Sequence, residues 1–314
     1  MYTLGIDTSN YATSLAVFDT AAEEVVCDRK RFLPVKPGEL GLRQSDAVFH
    51  HTAALPELLR ELDAEFPLHR VDAVGVSEKP RPVEGSYMPC FLTGISAATA
   101  VSRALSVPLY RFSHQEGHIA AALYSAGRLE LLNEPFIAFH VSGGTTEAVL
   151  VNPDNEHIIN AEIVASSSDL KAGQAIDRVG VMLSLNFPAG PELERLSEKS
   201  NAVFKIRPSM KNADCSLSGV ENKCKKMMTE NYEKSDIALF CIDSVIAALD
   251  GMYKALMPKY GALPVVFSGG VTSNKRIKNY FHDKYNAIFA EPAFSADNAA
   301  GTAVLSSIIY DRRK

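Results

Sequence analysis

Residues 3–18 and 136–151 carry the same pattern: an apolar strand, a turn of small polar residues, then a second apolar strand. No other feature limits the fold as much, because a repeat of this length points to an internally duplicated lobe. In the first copy, Thr3 to Asp7 and Ser14 to Phe18 read as strands around Thr8, Ser9, Asn10 and Tyr11. In the second, Phe136 to Val141 and Ala148 to Val151 flank Ser142, Gly143, Gly144, Thr145 and Thr146. At 314 residues the chain is also longer than one hydrophobic core usually grows. Two lobes are therefore expected, residues 1–130 and 131–314, with any hinge in the ordinary loop near Leu129 to Glu134.

The segments around these copies alternate between strand and helix, an α/β pattern. Strands are expected at Val25 to Phe32, Val71 to Ser77, His157 to Val164 and Pro264 to Phe267. Helices are expected at Ser45 to Leu62, Ala172 to Leu185, Ile237 to Met257, from Asn274, and from Asp297 to Tyr310. The net charge of -5 argues against a protein that coats nucleic acid non-specifically, since that affinity comes from neutralising phosphates with Lys and Arg. Five scattered cysteines without a C-x-x-C pair suit a reducing compartment better than a disulfide framework. The start of the chain lacks a basic, apolar leader and no later run suits a membrane span, so a cytoplasmic protein with no membrane partner is expected.

Four motifs carry candidate chemistry. Small residues in the paired turns let backbone NH groups approach a phosphate, and the hydroxyls of Thr8, Ser9, Ser142 and Thr145 add donors. Either turn alone also reads as an ordinary hairpin turn; the duplication favours a phosphate grip. The run Phe267-Ser268-Gly269-Gly270-Val271-Thr272-Ser273-Asn274 places a glycine pair between a buried strand and a helix, where α/β folds bind ligands; a capped strand-to-helix connection is the plainer reading. In His114-Gln115-Glu116-Gly117-His118 the imidazoles are four residues apart, about 40° around a helix, so both can bind one ion. Imidazole suits zinc or iron rather than magnesium or calcium. Glu116 falls about 200° from His114, which disfavours a zinc peptidase. His50 and His51 read as a solvated pair on the polar side of their helix. Asp297 opens the final helix, either as a first-turn acid or as the missing metal carboxylate.

Taken together these segments resemble the TsaD family of tRNA threonylcarbamoyladenosine transferases, formerly called glycoproteases, within the actin-like ATPase superfamily. The likeness runs through Gly5-Ile6-Asp7-Thr8-Ser9, the His114 to His118 motif, Val141-Ser142-Gly143-Gly144, Ala175-Ile176-Asp177-Arg178, Phe187-Pro188-Ala189-Gly190-Pro191, Ser216-Leu217-Ser218-Gly219, Ser268-Gly269-Gly270-Val271, Asn274 and Ala296-Asp297-Asn298-Ala299. The resemblance implies an α/β fold of two duplicated, ribonuclease H-like lobes around a nucleotide cleft. It makes His114, His118 and Asp297 the ligands of one divalent metal ion, iron or zinc. Ser142, Gly143 and Gly144, with Thr145 beside them, would meet the phosphate of an adenine nucleotide or carbamoyl adenylate. Asp177 and Gly190 would hold its ribose, and Gly270 and Asn274 its far side. Thr8, Ser9 and Asn10 are candidate substrate contacts, and no general base stands out. The implied reaction is attack of a tRNA adenosine amine on the carbamoyl carbon of threonylcarbamoyl adenylate, with TsaB-like and TsaE-like proteins as partners.

The chain departs from the family pattern at several blocks. A glycine-rich loop is replaced by Ser77-Glu78-Lys79-Pro80-Arg81-Pro82-Val83-Glu84-Gly85, the histidine of the second turn by Thr145, and a lysine by Glu221. Glu221 weakens contact with tRNA phosphates; nearby Lys223, Lys225 and Lys226 either compensate or form a solvated helix face. These departures mark a divergent paralogue and leave three functions open: threonylcarbamoyl transfer to tRNA, transfer from a different carbamoyl or acyl adenylate, and a non-catalytic nucleotide-binding partner. A kinase of the same superfamily is disfavoured, because kinases hold magnesium through oxygen.

Overall fold

The structure, a computed structural model, describes residues 1–9, 11–34, 42–294 and 298–313. By packing the chain divides into two units, Met1–Glu134 with Asn152–Ala161 and Ala293–Lys314, and Pro135–Val151 with Glu162–Pro292.

In the first unit, β1 (Tyr2–Thr8), β2 (Ala12–Asp19), β3 (Glu24–Phe32), β4 (Ala73–Lys79) and β5 (Leu109–Ser113) form a sheet in the order β3-β2-β1-β4-β5. β1 runs antiparallel to β2, with Thr8 opposite Thr13, and parallel to β4. Successive side chains of a strand point to opposite faces, so β1 serves two layers. Leu4 and Ile6 are fully buried in a core with Leu55, Leu58 and Leu62 of α1 (Gln44–Glu65) and Ala98 of α2 (Phe91–Leu105). Thr3, Gly5 and Asp7 alternate with them. Thr3 Oγ1 donates to Ala303 O, 2.8 Å away, on the closing helix.

α3 (His114–Ser125) starts directly after β5. Its Ser113 hydroxyl accepts from Glu116 N and its Glu116 carboxylate from Ser113 N at 2.6 Å, a capping box that fixes the first turn. Glu116 is thereby accounted for: it is buried and serves the helix end. Two further helices, α2 and α3, and strand β5 were outside the expected elements or left conditional. The sequence of α2 is rich in Gly, Ala, Ser and Thr, and its buried face is Phe91, Gly94, Ala98 and Ser102, too small to stand out as an apolar stripe.

The second unit repeats the order. β6 (Phe136–Val141), β7 (Thr146–Asp154), β8 (Ile158–Ser166), β11 (Val265–Ser268) and β12 (Ile288–Phe289) form β12-β11-β6-β7-β8. A small hairpin of β9 (Ser209–Lys211) and β10 (Asp214–Ser216) stands apart from that sheet. β6 is antiparallel to β7 and parallel to β11, the pairing of β1 with β2 and β4. Ile137, Phe139 and Val141 face a core built with α4 (Ala172–Met182), α5 (Gly190–Ser197), α6 (Ser218–Thr229), α7 (Lys234–Tyr260) and α8 (Lys275–Tyr285). α9 (Ala300–Arg312) ends the chain and packs in the first unit, where Ala303 and Val304 meet Phe18. All five cysteines are buried free thiols. Among the described residues, no helix is long and apolar enough to cross a membrane.

Candidate functional sites

In the second unit the turn between β6 and β7 is closed by Ser142 N donating to Thr145 O at 2.8 Å. Gly144 N and Thr145 N both donate to Ser142 Oγ, at 3.3 and 3.1 Å, so these two amides are spent inside the turn rather than aimed at a phosphate. The hydroxyl oxygen accepts in both bonds, which leaves its own hydrogen to donate. Among the described residues, a Cβ added at Gly143 or Gly144 would meet nothing within 4 Å, so their packing does not demand glycine there. Both residues are exposed.

Gly173, on the first turn of α4, closes the other side. Its N–H donates to Ser142 O at 3.1 Å, and a Cβ there would come within 2.7 Å of Gly143 Cα and N. Thr146 Oγ1 accepts from Ala172 N at 2.9 Å, fixing the helix start to the strand. Gly173 was missed from sequence because its requirement comes from a neighbour 30 residues away in the chain.

Gly143, Asp177, Gly190, Gly270 and Asn274 line one cavity of about 300 Å³, closed by an apolar wall that includes Ile176, Leu193, Ile242 and Val271. Ser142, Gly144 and Thr145 belong to the turn but not to the lining of this cavity. Asp177 Oδ1 accepts from Ala189 N at 2.8 Å, which ties α4 to the start of α5. A carboxylate has about four lone-pair sites, so this bond leaves capacity for further donors. Asn274 caps α8, accepting from Ile277 N at 3.1 Å. Gly269, with φ 98°, lies so close to the Val141 backbone that no side chain fits, which brings Gly270 to the cavity.

The sequence block at Ser216 to Gly219 is held by Asp169, which accepts from the hydroxyls of Ser216 and Ser218, both at 2.6 Å, and from Leu217 N at 2.8 Å. Burial raises the pKa of this carboxyl, but the hydrogen bonds from Ser216, Ser218, Leu217 and Leu170 together hold it far below the usual carboxylate range. Glu221 pairs with Arg178 at 3.0 Å and Lys225 at 2.6 Å. Lys223, Lys225 and Lys226 lie on the exposed face of α6.

In the first unit the His114 and His118 rings stand 4.2 Å apart between centroids, edge to face, on the first turns of α3. Asp7, at the end of β1 and 1% exposed, has Oδ2 within hydrogen-bond distance of His114 Nδ1, at 2.8 Å, and accepts from Ser9 N at 2.9 Å through Oδ1. α9 passes close by: a Cβ on Gly301 would sit on the Gly117 carbonyl, between the two histidines in sequence. Only glycine at position 301 allows that approach. Asp297 and Asn10 lie outside the described residues. Among the described residues, no group of three or more His, Cys, Asp or Glu side chains gathers as a metal site.

Thr8 is fully buried; its hydroxyl donates to Cys90 O and accepts from Gly94 N, both at 3.1 Å, which pins the start of α2. Ser9 is buried too, and its hydroxyl has no hydrogen-bond partner among the described residues. His51 corrects an expectation. It is fully buried rather than solvated, with Nδ1 2.7 Å from Thr13 Oγ1. Burial pushes its pKa below the ordinary histidine value, and the Ser9 backbone and Asp7 act in the opposite direction. The helix face that carries His51 was misjudged because its polar partner comes from β2, 38 residues earlier.

The family model for TsaD, tRNA N6-adenosine threonylcarbamoyltransferase, matches residues 36–304. The chain is 28% identical over 310 residues to the tRNA N6-adenosine threonylcarbamoyltransferase of Thermotoga neapolitana, covering 95% of this chain and 91% of that protein. It is likewise 28% identical over 334 residues to the Staphylococcus aureus protein of the same name, covering 98% and 92%. Among solved structures, it superposes on component A of (R)-2-hydroxyglutaryl-CoA dehydratase from Acidaminococcus fermentans with a TM-score of 0.57 at 16% identity, covering 100% of both chains. It also superposes on full-length HypF in its phosphate- and nucleotide-bound form with a TM-score of 0.60 at 13% identity, covering 99% of this chain and 55% of that one. With two mixed sheets of matching order, this is the actin-like ATPase fold.

Proposed function

The chain belongs to the TsaD family of tRNA N6-adenosine threonylcarbamoyltransferases, a family of enzymes, and from that membership we propose that it transfers a threonylcarbamoyl group from its adenylate to adenosine in tRNA. The observation that carries the reading is the cavity shared by Gly143, Asp177, Gly190, Gly270 and Asn274. Five residues from separated sequence blocks meet in a space lined partly by glycine, with the carboxylates of Asp177 and Glu194 at hand. That arrangement suits a nucleotide: glycine backbone lets phosphate and sugar approach, and Asp177 accepts ribose hydroxyls with the lone pairs that Ala189 does not use. In the reaction, the adenosine amine forms a bond to the carbamoyl carbon and the bond from that carbon to the phosphate oxygen breaks. AMP departs with the electron pair, and the amine loses a proton. The backbone of Gly143, which lines the cavity, is suited to meet the departing phosphate.

A metal ion, iron or zinc, belongs to this reading. The donor set fits it: two imidazoles on one helix face, one of them bonded to a buried carboxylate. The Gly117 and Gly301 contact brings the first turn of α9 to α3, and Asp297 is proposed as the third ligand on the family pattern alone. When bound, the ion supplies a Lewis acid that polarises a carbonyl or phosphoryl oxygen. TsaB-like and TsaE-like partners are part of the proposal. The test is a mass spectrum of tRNA nucleosides from a strain lacking this chain. Loss of threonylcarbamoyladenosine, restored by the wild-type chain and not by Asp177→Ala, is expected; an unchanged nucleoside profile would overturn tRNA as the acceptor.

A further inference from the structure

We propose that Asp7 is the positioning residue of the histidine pair: it fixes the His114 ring with the proton on Nδ1, so that Nε2 is the nitrogen presented to a metal. This rests on the metal reading above and goes beyond it, since none of the expected ligands includes Asp7.

The chemistry follows from three contacts. An ionised carboxylate only accepts hydrogen bonds, so the 2.8 Å contact between Asp7 Oδ2 and His114 Nδ1 requires a proton on Nδ1. In a neutral imidazole the other nitrogen, Nε2, then carries the lone pair. Asp7 cannot turn away easily, because Oδ1 is held by Ser9 N at 2.9 Å and the residue is 1% exposed at the end of β1. The ring is constrained from the other end as well, since the Ser113 and Glu116 capping box sets the first turn of α3.

The link joins residues 107 positions apart and ties the buried acid of β1 to the first turn of α3. Charge burial is costly unless the group is paired and hydrogen-bonded. Both oxygens of Asp7 meet that condition with the two donors named. A carboxylate behind a ligating histidine also raises the basicity of the ring and orients it, and its loss typically lowers metal affinity by about 10- to 100-fold. Asp7→Asn keeps the volume but breaks the arrangement. If the amide oxygen serves Ser9 N, the NH₂ faces His114 Nδ1 and favours a proton on Nε2, the wrong tautomer for binding.

Two measurements test this on the full chain. The first is titration with Co²⁺ alone, followed by its visible absorption, for wild type and Asp7→Asn. The expected result is about 10- to 100-fold weaker binding by Asp7→Asn, with partial recovery in Asp7→Glu. Equal affinity in a folded Asp7→Asn would overturn the proposal. The second needs no variant at Asp7: in ¹⁵N-histidine-labelled, metal-free wild type, with His114 assigned through His114→Gln, the ring nitrogens are read by NMR. A proton on Nδ1 supports the proposal, and a proton on Nε2 overturns it. Absence of Co²⁺ binding by wild type together with the Nδ1 tautomer would reject the metal reading while supporting the role of Asp7 in setting the ring.

Discussion

Gly173→Ala measures how tightly the start of α4 is pressed against the turn between β6 and β7. The new Cβ would lie 2.7 Å from Gly143 Cα and N and 2.8 Å from Ser142 O. Ordinary carbon contacts are about 3.5–4.0 Å, so the helix start or the turn must withdraw by roughly 0.8 Å or more. Both sides are backbone, and neither has a rotamer to change. Such overpacking costs about 1–3 kcal/mol. Alanine is a better helix former than glycine by at most about 1 kcal/mol, and less in the first turn, so a net loss of about 0.5–2.5 kcal/mol remains. The bond from Gly173 N to Ser142 O, 3.1 Å long, lengthens with the displacement. Gly143→Ala is the counterpart: its Cβ meets nothing within 4 Å, so stability should stay within about 0.5 kcal/mol. Its methyl would instead occupy the cavity that AMP is proposed to fill. Urea unfolding followed by circular dichroism, with the two units fitted as separate transitions, gives the stabilities, and calorimetric titration with AMP gives the affinities. Gly173→Ala should lose stability and affinity together, while Gly143→Ala loses affinity alone. A Gly173→Ala chain with unchanged stability and full affinity would refute the packing argument.

Three further outcomes are expected. Asp177→Ala should weaken AMP binding by about 1–3 kcal/mol, because hydrogen bonds to a charged group carry that much; calorimetry showing unchanged affinity would place the ribose elsewhere. Purified chain should carry about one equivalent of iron or zinc by elemental analysis, lost in His114→Ala with His118→Ala; stoichiometric metal in that double variant would remove the histidines from the site. Asp250 is buried, which alone raises its pKa, yet the ion pairs and hydrogen bonds from Lys254, Lys284 and Tyr285 bring it below the ordinary 3.8. Its stabilisation is therefore present above that value and lost as pH falls through the folded value. The stability gap between wild type and Asp250→Asn should stay constant from pH 7 to 5 and shrink only below about pH 4; a gap that closes near neutral pH would contradict the sign.

The duplicated strand, turn and strand were legible because their signal is local: period-2 apolar runs bounded by Gly, Ser, Thr and Asn. The same holds for the long, strongly patterned helices α1 and α7. α2 was not legible, since its packing face is made of small residues, and α5 and α6 are short with mostly polar surfaces. At the candidate sites, the sequence pointed to Gly143, Asp177, Gly190, Gly270 and Asn274 as single members of separate blocks, and the cavity lies where those blocks meet. What sequence could not supply were constraints set across the fold. Gly173 is required by the backbone of Ser142 and Gly143, Thr8 by α2, and His51 by Thr13. Asp7 stands in a quoted block, yet its bond to His114 is a fact of the β1 and α3 layers alone.

The transfer itself is tested most directly by incubating the purified chain with ¹⁴C-labelled threonylcarbamoyl adenylate and unmodified tRNA, with and without TsaB-like and TsaE-like partners. The loop from Glu78 to Gly85 and Thr145 depart from the family pattern, so little label should enter tRNA when the chain acts alone. With the partners present, label should appear in tRNA as threonylcarbamoyladenosine in step with AMP release, and Asp177→Ala should reduce both. Binding of the adenylate without labelled tRNA or AMP release under any partner combination would contradict the account and leave a nucleotide-binding protein that does not catalyse the transfer.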